Sequence, residues 1–298
     1  MTRVRSTDSS RIDDRRGQGG GSGGGLGGGG FSIPGGLGGL AGGGGLLGII
    51  VVLAALFLPK LMGGAGAPAT GAPGLGGTSA EVADGTCSSE LEQIVCGATD
   101  DVQDYWAAAL PKFFGTPYRD TKTVFFGGGV GTGCGQATSQ TGPFYCPADE
   151  LVFIDLDFMQ QLEQRLVGAT SDLAEQYIVA HEYGHHVQNI LGTSAQVQQA
   201  ERNDPGRANQ YSVALELQAD CYAGVWVGDI AARGLLDSSS EIAEALAAAA
   251  GVGDDRIQGG NADPDTFTHG TSEQRQQWFM RGVNTRDPRR CTTFDEIL

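Results

Sequence analysis

The chain has 298 residues, enough for one ordinary domain with appendages, and 27 of its 50 glycines fall within residues 1–77. Glycine brings no side chain to bury and loses the most backbone entropy on ordering, so composition excludes a packed core there and places the folded domain at 81–298. The net charge of −16 sits after residue 60, because the first 60 residues are slightly basic; so acidic a domain repels phosphate backbones, and no nucleic acid partner is expected.

In chain order, residues 1–36 read as a Gly-rich, disordered cytoplasmic tail. Leu37–Leu58 is a run of 22 residues without a charge, closed by Pro59 and Lys60. Its length suits a transmembrane helix; a signal-peptide core or a buried helix are the alternatives. The long preceding segment, and Pro68 directly after Ala65-Gly66-Ala67, favour a retained anchor over a cleaved signal. Arg3, Arg5, Arg11, Arg15 and Arg16 precede the run and only Lys60 follows it closely. The expected placement is therefore a single pass through the cell membrane, N-terminus cytoplasmic and domain extracytoplasmic. Residues 59–80 read as a Gly/Ala/Pro linker.

The cysteines Cys87, Cys96, Cys134, Cys146, Cys221 and Cys291 all follow residue 80, and none forms a C-x-x-C pair. An even count fits disulfides outside the cytosol, with the connectivity left open. Helices are predicted near 88–95 and over 99–110, and strands at 121–126, 143–146 and 151–155. The pattern then turns helical, at 157–167, 172–191, 210–232, 239–250 and 271–281. A small sheet followed by a mainly helical region predicts an α+β fold.

The informative segment is Asp172–Leu191. Asp172 with Glu175 resembles a capping box, and Leu173, Tyr177, Ala180, Gly184, Val187 and Leu191 mark an inward face. Beside that face His181 and His185 lie one turn apart with Glu182 between them. This is H-E-x-x-H on a helix, two imidazoles placed for Zn2+ and a carboxylate beside them as base. Catalytic zinc wants a third protein ligand. A second ligand helix offers Glu216 for it, with Asp220 one turn on to accept from a ligand histidine and fix its tautomer. His186 points about 100° away from His185 and reads as a residue that supports a ligand or packs, rather than as a ligand itself. Gly184 costs the helix about 1 kcal/mol relative to Ala, which implies another backbone passing close by.

HEYGHHVQ, then ELQADCYAGVW, then HGTSEQRQQWF from His269, together resemble the neutral zinc metallopeptidase family of bacteria. GPFYCPADELVFIDLDF at 142–158 fits the same resemblance, which spans essentially all of 81–298. The spacing from HExxH to Glu216 is also similar to that of the membrane-linked gluzincins. What the resemblance implies is a zincin-like catalytic domain, with His181, His185 and Glu216 as metal ligands and Glu182 as general base. The implied activity is membrane-anchored endopeptidase, cleaving protein or peptide substrates with a water that zinc activates. His269, the one histidine outside 181–186, is the candidate donor to the oxyanion. Arg275 could pair with Asp220 or with a substrate carboxylate. Thr121–Phe126 and Leu151–Asp155 read as core strands, with a peptide-binding edge strand the lesser alternative. A zinc-binding envelope scaffold of the same fold, without proteolysis, is the competing reading.

Overall fold

The computed structural model of the protein describes residues 2–17, 86–166, 171–259 and 262–297. They form six strands and nine helices longer than one turn of tight helix, in an α+β arrangement. A four-stranded sheet comprises β1 (Ile12–Asp14), β2 (Thr123–Phe126), β6 (Leu151–Asp155) and β5 (Phe144–Cys146), in that spatial order. β1, β2 and β6 are parallel, whereas β5 runs antiparallel to β6. A hairpin of β3 (Gly129–Thr132) and β4 (Gly135–Thr138) stands apart from it.

The sheet separates two apolar clusters. Phe125, Tyr145, Val152 and Ile154 face the large helical core. Val124, Phe126, Phe144 and Phe153 alternate to the other side and are covered by Ala137 of the hairpin. Alternate residues buried on both faces explain why these strands read as continuous apolar runs rather than as an apolar/polar alternation.

The helices are α1 (Glu90–Phe114), α2 (Leu156–Leu166), α3 (Asp172–Leu191), α4 (Thr193–Asn203) and α5 (Ala208–Ala232). They continue as α6 (Ser240–Gly251), the single turn α7 (Asp254–Ile257), α8 (Ser272–Thr285) and the short α9 (Thr293–Ile297). The two helices expected at 88–95 and 99–110 are one, opened by a capping box between Ser89 and Glu92. Helix α3 has the expected bounds, but its N-cap is Ser171, whose hydroxyl accepts from the Ala174 amide, and not Asp172. Its other end is closed by Gly192 at φ 78°, a conformation that favours glycine. Buried hydroxyls of Thr99 (α1), Thr123 (β2) and Tyr183 (α3) bond in a row and join the three elements.

Two expectations are corrected here. The first concerns the N-terminal tail. Residues 2–17 pack on the domain: β1 pairs with β2, Val4 and Ile12 are buried, and the Arg3 amide donates to Leu235 O. Gly97 on α1 makes the passage possible, since a Cβ there would lie 2.5 Å from Arg5 Cα. The folded unit thus starts upstream of the Gly-rich stretch.

The second correction concerns the membrane. The run 37–58, the linker 59–80 and the rest of the tail lie outside the described residues. Among the described residues no helix is long and apolar enough to cross a membrane. One crossing within 37–58 would also put β1 and β2 on opposite sides of a bilayer, yet they are hydrogen-bonded neighbours. The single-pass anchor, the membrane as partner and the cell-membrane localisation with a cytoplasmic N-terminus are therefore withdrawn.

All six cysteines are paired, as Cys87–Cys96, Cys134–Cys146 and Cys221–Cys291. The first closes the start of α1, the second ties the hairpin turn to β5, and the third ties α5 to the C-terminal segment. Both β2 and β6 have strands on either side, so neither can accept an added strand; the edges are β1 and β5.

Candidate metal centre

Helices α3 and α5 pack in direct contact. Gly184 sets their distance at the site: a Cβ there would lie 3.1 Å from the Cα and the carbonyl oxygen of Ala219. This is the close backbone approach that the helical glycine implies. Ala219 follows Glu216 by three residues and precedes Asp220 by one, so the approach brings both carboxylates against the histidine face of α3.

His181, His185 and Glu216 are buried, and one ligand atom from each lies within 4.8 Å of the others. The Nε2 of His181 is 3.1 Å from Glu216 Oε2, and that of His185 is 3.3 Å from Glu216 Oε1. The remaining ring nitrogens are held from behind. His181 Nδ1 donates to Asp220 Oδ1 at 2.9 Å, and His185 Nδ1 donates to Gln188 Oε1 at 2.8 Å. Gln188 is fixed by donating to Leu215 O at 2.7 Å. Each imidazole is thereby held with Nδ1 protonated and Nε2 aimed at one point.

Asp220 is wholly buried and heavily bonded. Arg275 on α8 donates to it through Nε at 2.7 Å and Nη2 at 2.8 Å, and the Tyr177 hydroxyl donates at 2.5 Å. Of the two expected uses of Arg275, the structure shows the pair with Asp220. Burial alone would raise the Asp220 carboxyl, but Arg275 and His181 hold it down at about 2. Burial likewise disfavours a charged His181, yet Asp220 and Glu216 on its two nitrogens push it up to about 10. Glu216 is held well below the usual carboxylate range against the cost of burial, chiefly by His185 and His181.

These residues fit a divalent metal. Glu216 Oε1 accepts no hydrogen bond although it is buried, two imidazole Nε2 atoms converge beside it, and two nitrogens with one oxygen are a donor set that zinc takes. Among the described residues this is the only such group of three.

Glu182 follows His181 on α3 and is buried, which raises its carboxyl above the usual value; His181 and His185 act in the opposite sense. His186 lies outside the group of three. Its Nε2 donates to Arg119 O at 2.7 Å and its Nδ1 accepts from the Tyr145 hydroxyl at 3.0 Å, which fixes α3 against β5. His269 precedes α8 in a buried loop and is not in the three-residue group, but it lies near enough to Glu216 for the two to interact electrostatically.

Three contributors were not singled out from sequence as site residues: Tyr177, Gln188 and Asp254. Tyr177 and Gln188 sit one turn before His181 and three residues after His185, so helical spacing carried a signal for both. Asp254, which holds the His269 loop, lies 15 residues away from it and had no local signal.

Residues 1–294 match a family model described as "Putative neutral zinc metallopeptidase", and the chain belongs to that family. It is 39% identical to the uncharacterized protein YpfJ of Escherichia coli (strain K12) over 299 residues, 98% of each chain. It is also 44% identical over 212 residues to an uncharacterized protein of Mycobacterium tuberculosis (strain ATCC 25618 / H37Rv), covering 67% of this chain and 69% of the relative. No solved structure matches.

Proposed function

We propose that the protein is a zinc-dependent endopeptidase with a zincin-like catalytic domain. The observation that carries this reading is the convergence of His181 Nε2, His185 Nε2 and Glu216 on one point, with Glu182 one residue from His181. His181, His185 and Glu216 would hold the zinc. When bound, zinc supplies a Lewis acid that acidifies water and polarises the scissile carbonyl.

The remaining chemistry belongs to the chain. Glu182, with its carboxyl raised by burial, accepts a proton from the attacking water and passes it to the leaving amine. His269 donates to the oxyanion that develops on the former carbonyl. Asp220 and Gln188 hold the two ligand rings in register and prevent Nδ1 from competing with Nε2.

The test is metal analysis and peptide-library cleavage by the full chain beside Glu182→Gln. Zinc near one per chain in both proteins, with cleavage about 100-fold or more lower in the variant, supports the reading. Zinc with no cleavage in either protein would favour a metal-binding scaffold. A folded protein without zinc would refute the metal assignment itself.

A further inference from the structure

The loop that carries His269 is held by one buried carboxylate. Asp254 opens the single turn α7 and is completely buried. Its Oδ2 accepts from three successive amides, those of Thr268 (2.8 Å), His269 (2.6 Å) and Gly270 (3.0 Å). The Asp254 amide in return donates to Gly270 O at 2.9 Å. Its other oxygen, Oδ1, accepts no hydrogen bond and stands 3.4 Å from His269 Nδ1.

Asp254 is itself rigidly placed. A Cβ on Gly253 would lie 2.4 Å from the Ser272 amide, so only glycine lets the chain pass the start of α8 here. On the far side, Asp255 Oδ1 accepts from the Ser272 amide at 2.7 Å. Arg275, the residue that grips Asp220, also donates to Val252 O at 3.3 Å. The segment 252–255 therefore joins the His269 loop to the helix that supports the metal ligands. Fixing one amide would need only one hydrogen bond. A carboxylate that spends one oxygen on three amides and turns the other toward the adjacent imidazole does something more specific.

We infer that Asp254 is a positioning residue for His269: its carboxylate holds a proton on Nδ1 and with it the orientation of the ring, so that the Nε2–H that would donate to the oxyanion is the second proton of a doubly protonated imidazole. The inference rests on the proposed peptidase reading for its consequence, but its physical content is separate from activity. Thr268 Oγ1, 3.0 Å from the same Nδ1, can donate or accept and cannot hold the Nδ1 proton alone. A carboxylate only accepts, and it decides the matter.

The experiment has two arms. The first is nitrogen-15 NMR of the four histidine side chains in the full, unmodified chain. The expected result is a protonated Nδ1 on His269, assigned by loss of its signals in His269→Gln. An unprotonated Nδ1 overturns the proposal whether or not the protein cleaves peptides. The second arm is a double-mutant cycle of Asp254→Asn and His269→Gln. Asparagine can still accept from the loop amides, and it presents an NH2 group to Nδ1.

The expected result is a fall in kcat of about 10- to 100-fold with KM and zinc content unchanged, and no further fall when Asp254→Asn is added to His269→Gln. An equal fall in both backgrounds would show that Asp254 acts on the fold and not through His269, and would overturn the proposal. Should Asp254→Asn fail to fold, the NMR arm still decides. Absence of cleavage by the unmodified protein, with Nδ1 protonated, would count against the peptidase reading alone.

Discussion

Arg5 donates through Nη2 to the Asp172 carboxylate at 2.7 Å, which joins the start of the chain to the first turn of the helix bearing His181 and His185. The contact is one of a set. Gln176, buried on the same helix, accepts from the Thr2 hydroxyl at 2.9 Å and donates to Val4 O at 2.6 Å. The N-terminal segment therefore supports the metal helix directly.

Removal of residues 1–17 should destabilise the fold by at least about 3 kcal/mol, since it exposes the sites of Val4 and Ile12 and strips the outer side of β2. For a domain of this size that is roughly 6–12 °C in melting temperature. Replacement of residues 18–85 by a short Gly/Ser linker should cost far less. The segments that flank that stretch touch, with the Thr86 hydroxyl 3.4 Å from Asp14 Oδ2. Thermal melts of the two variants check this, and equal losses would contradict it.

The elements most legible in the sequence are those whose local signals agree. Helix α3 has an apolar face and Gly192 after it, and its bounds are as expected although Ser171 and not Asp172 caps it. β6 is four apolar residues closed by Asp155, preceded by a turn and followed directly by α2. β1 was hidden because Ile12-Asp13-Asp14 carries one apolar residue; its strand form comes from Phe125 O and the Thr123 amide across the gap, a tertiary partner more than a hundred residues away. Helix α4 was missed because it begins directly after the glycine that ends α3 and is polar over most of its length. At the site, the HExxH residues were visible by spacing and Glu216 by helical register. The Asp254 contact depends on how 252–255 folds back on α8, which no local pattern encodes.

Asp220→Asn should keep zinc but bind it about 10- to 100-fold more weakly, because His181 loses its charged acceptor. Asp220→Ala should go further, with about 3–5 kcal/mol lost as the buried Arg275 guanidinium is left without a counter-charge. The pH dependence follows from the depressed carboxyl. Its folded value of about 2 lies below the unfolded value of about 4, so its contribution to stability is present above the latter and fades as pH falls toward the former. The stability gap between the metal-free native protein and Asp220→Asn should accordingly narrow between about pH 5 and pH 2.5. Denaturant titrations across that range measure it, and a constant gap would mean that the carboxylate charge is not what the fold uses.

Cys221 on α5 is bonded to Cys291 across 70 residues, and Gln218 Nε2 donates to Cys291 O beside it. Closing a loop of that length restricts the unfolded chain by about 4 kcal/mol. Replacing both cysteines by alanine should lower stability by roughly that amount. Zinc affinity should fall too, because the same segment anchors Gln218, which accepts from Gln188 behind His185. Denaturant midpoints and zinc competition with a chelator separate the two effects. Unchanged affinity at reduced stability would show that Gln188 is held adequately by Leu215 O alone.

Two glycines on the metal helices should respond differently to alanine. At Gly224 a Cβ would lie 2.0 Å from Phe279 O, and at the reciprocal position Gly282 a Cβ would lie 2.1 Å from Cys221 O. Backbone meets backbone at this crossing of α5 and α8, so nothing flexible can yield. Gly224→Ala should cost about 3 kcal/mol or more, at the upper end for overpacking, and should draw Arg275 away from Asp220. At Gly184 the nearest atoms of Ala219 are at 3.1 Å, which a small shift relieves, and alanine returns about 1 kcal/mol of helix propensity. Its melting temperature should therefore stay within a few degrees of the native value. The shift has to come from the approach of α5 to α3, however, and that approach sets the distance from Glu216 to both histidines. Gly184→Ala should lose zinc affinity by about tenfold with the fold intact. If its affinity is unchanged instead, the three ligands tolerate a wider helix spacing than their 4.8 Å cluster implies.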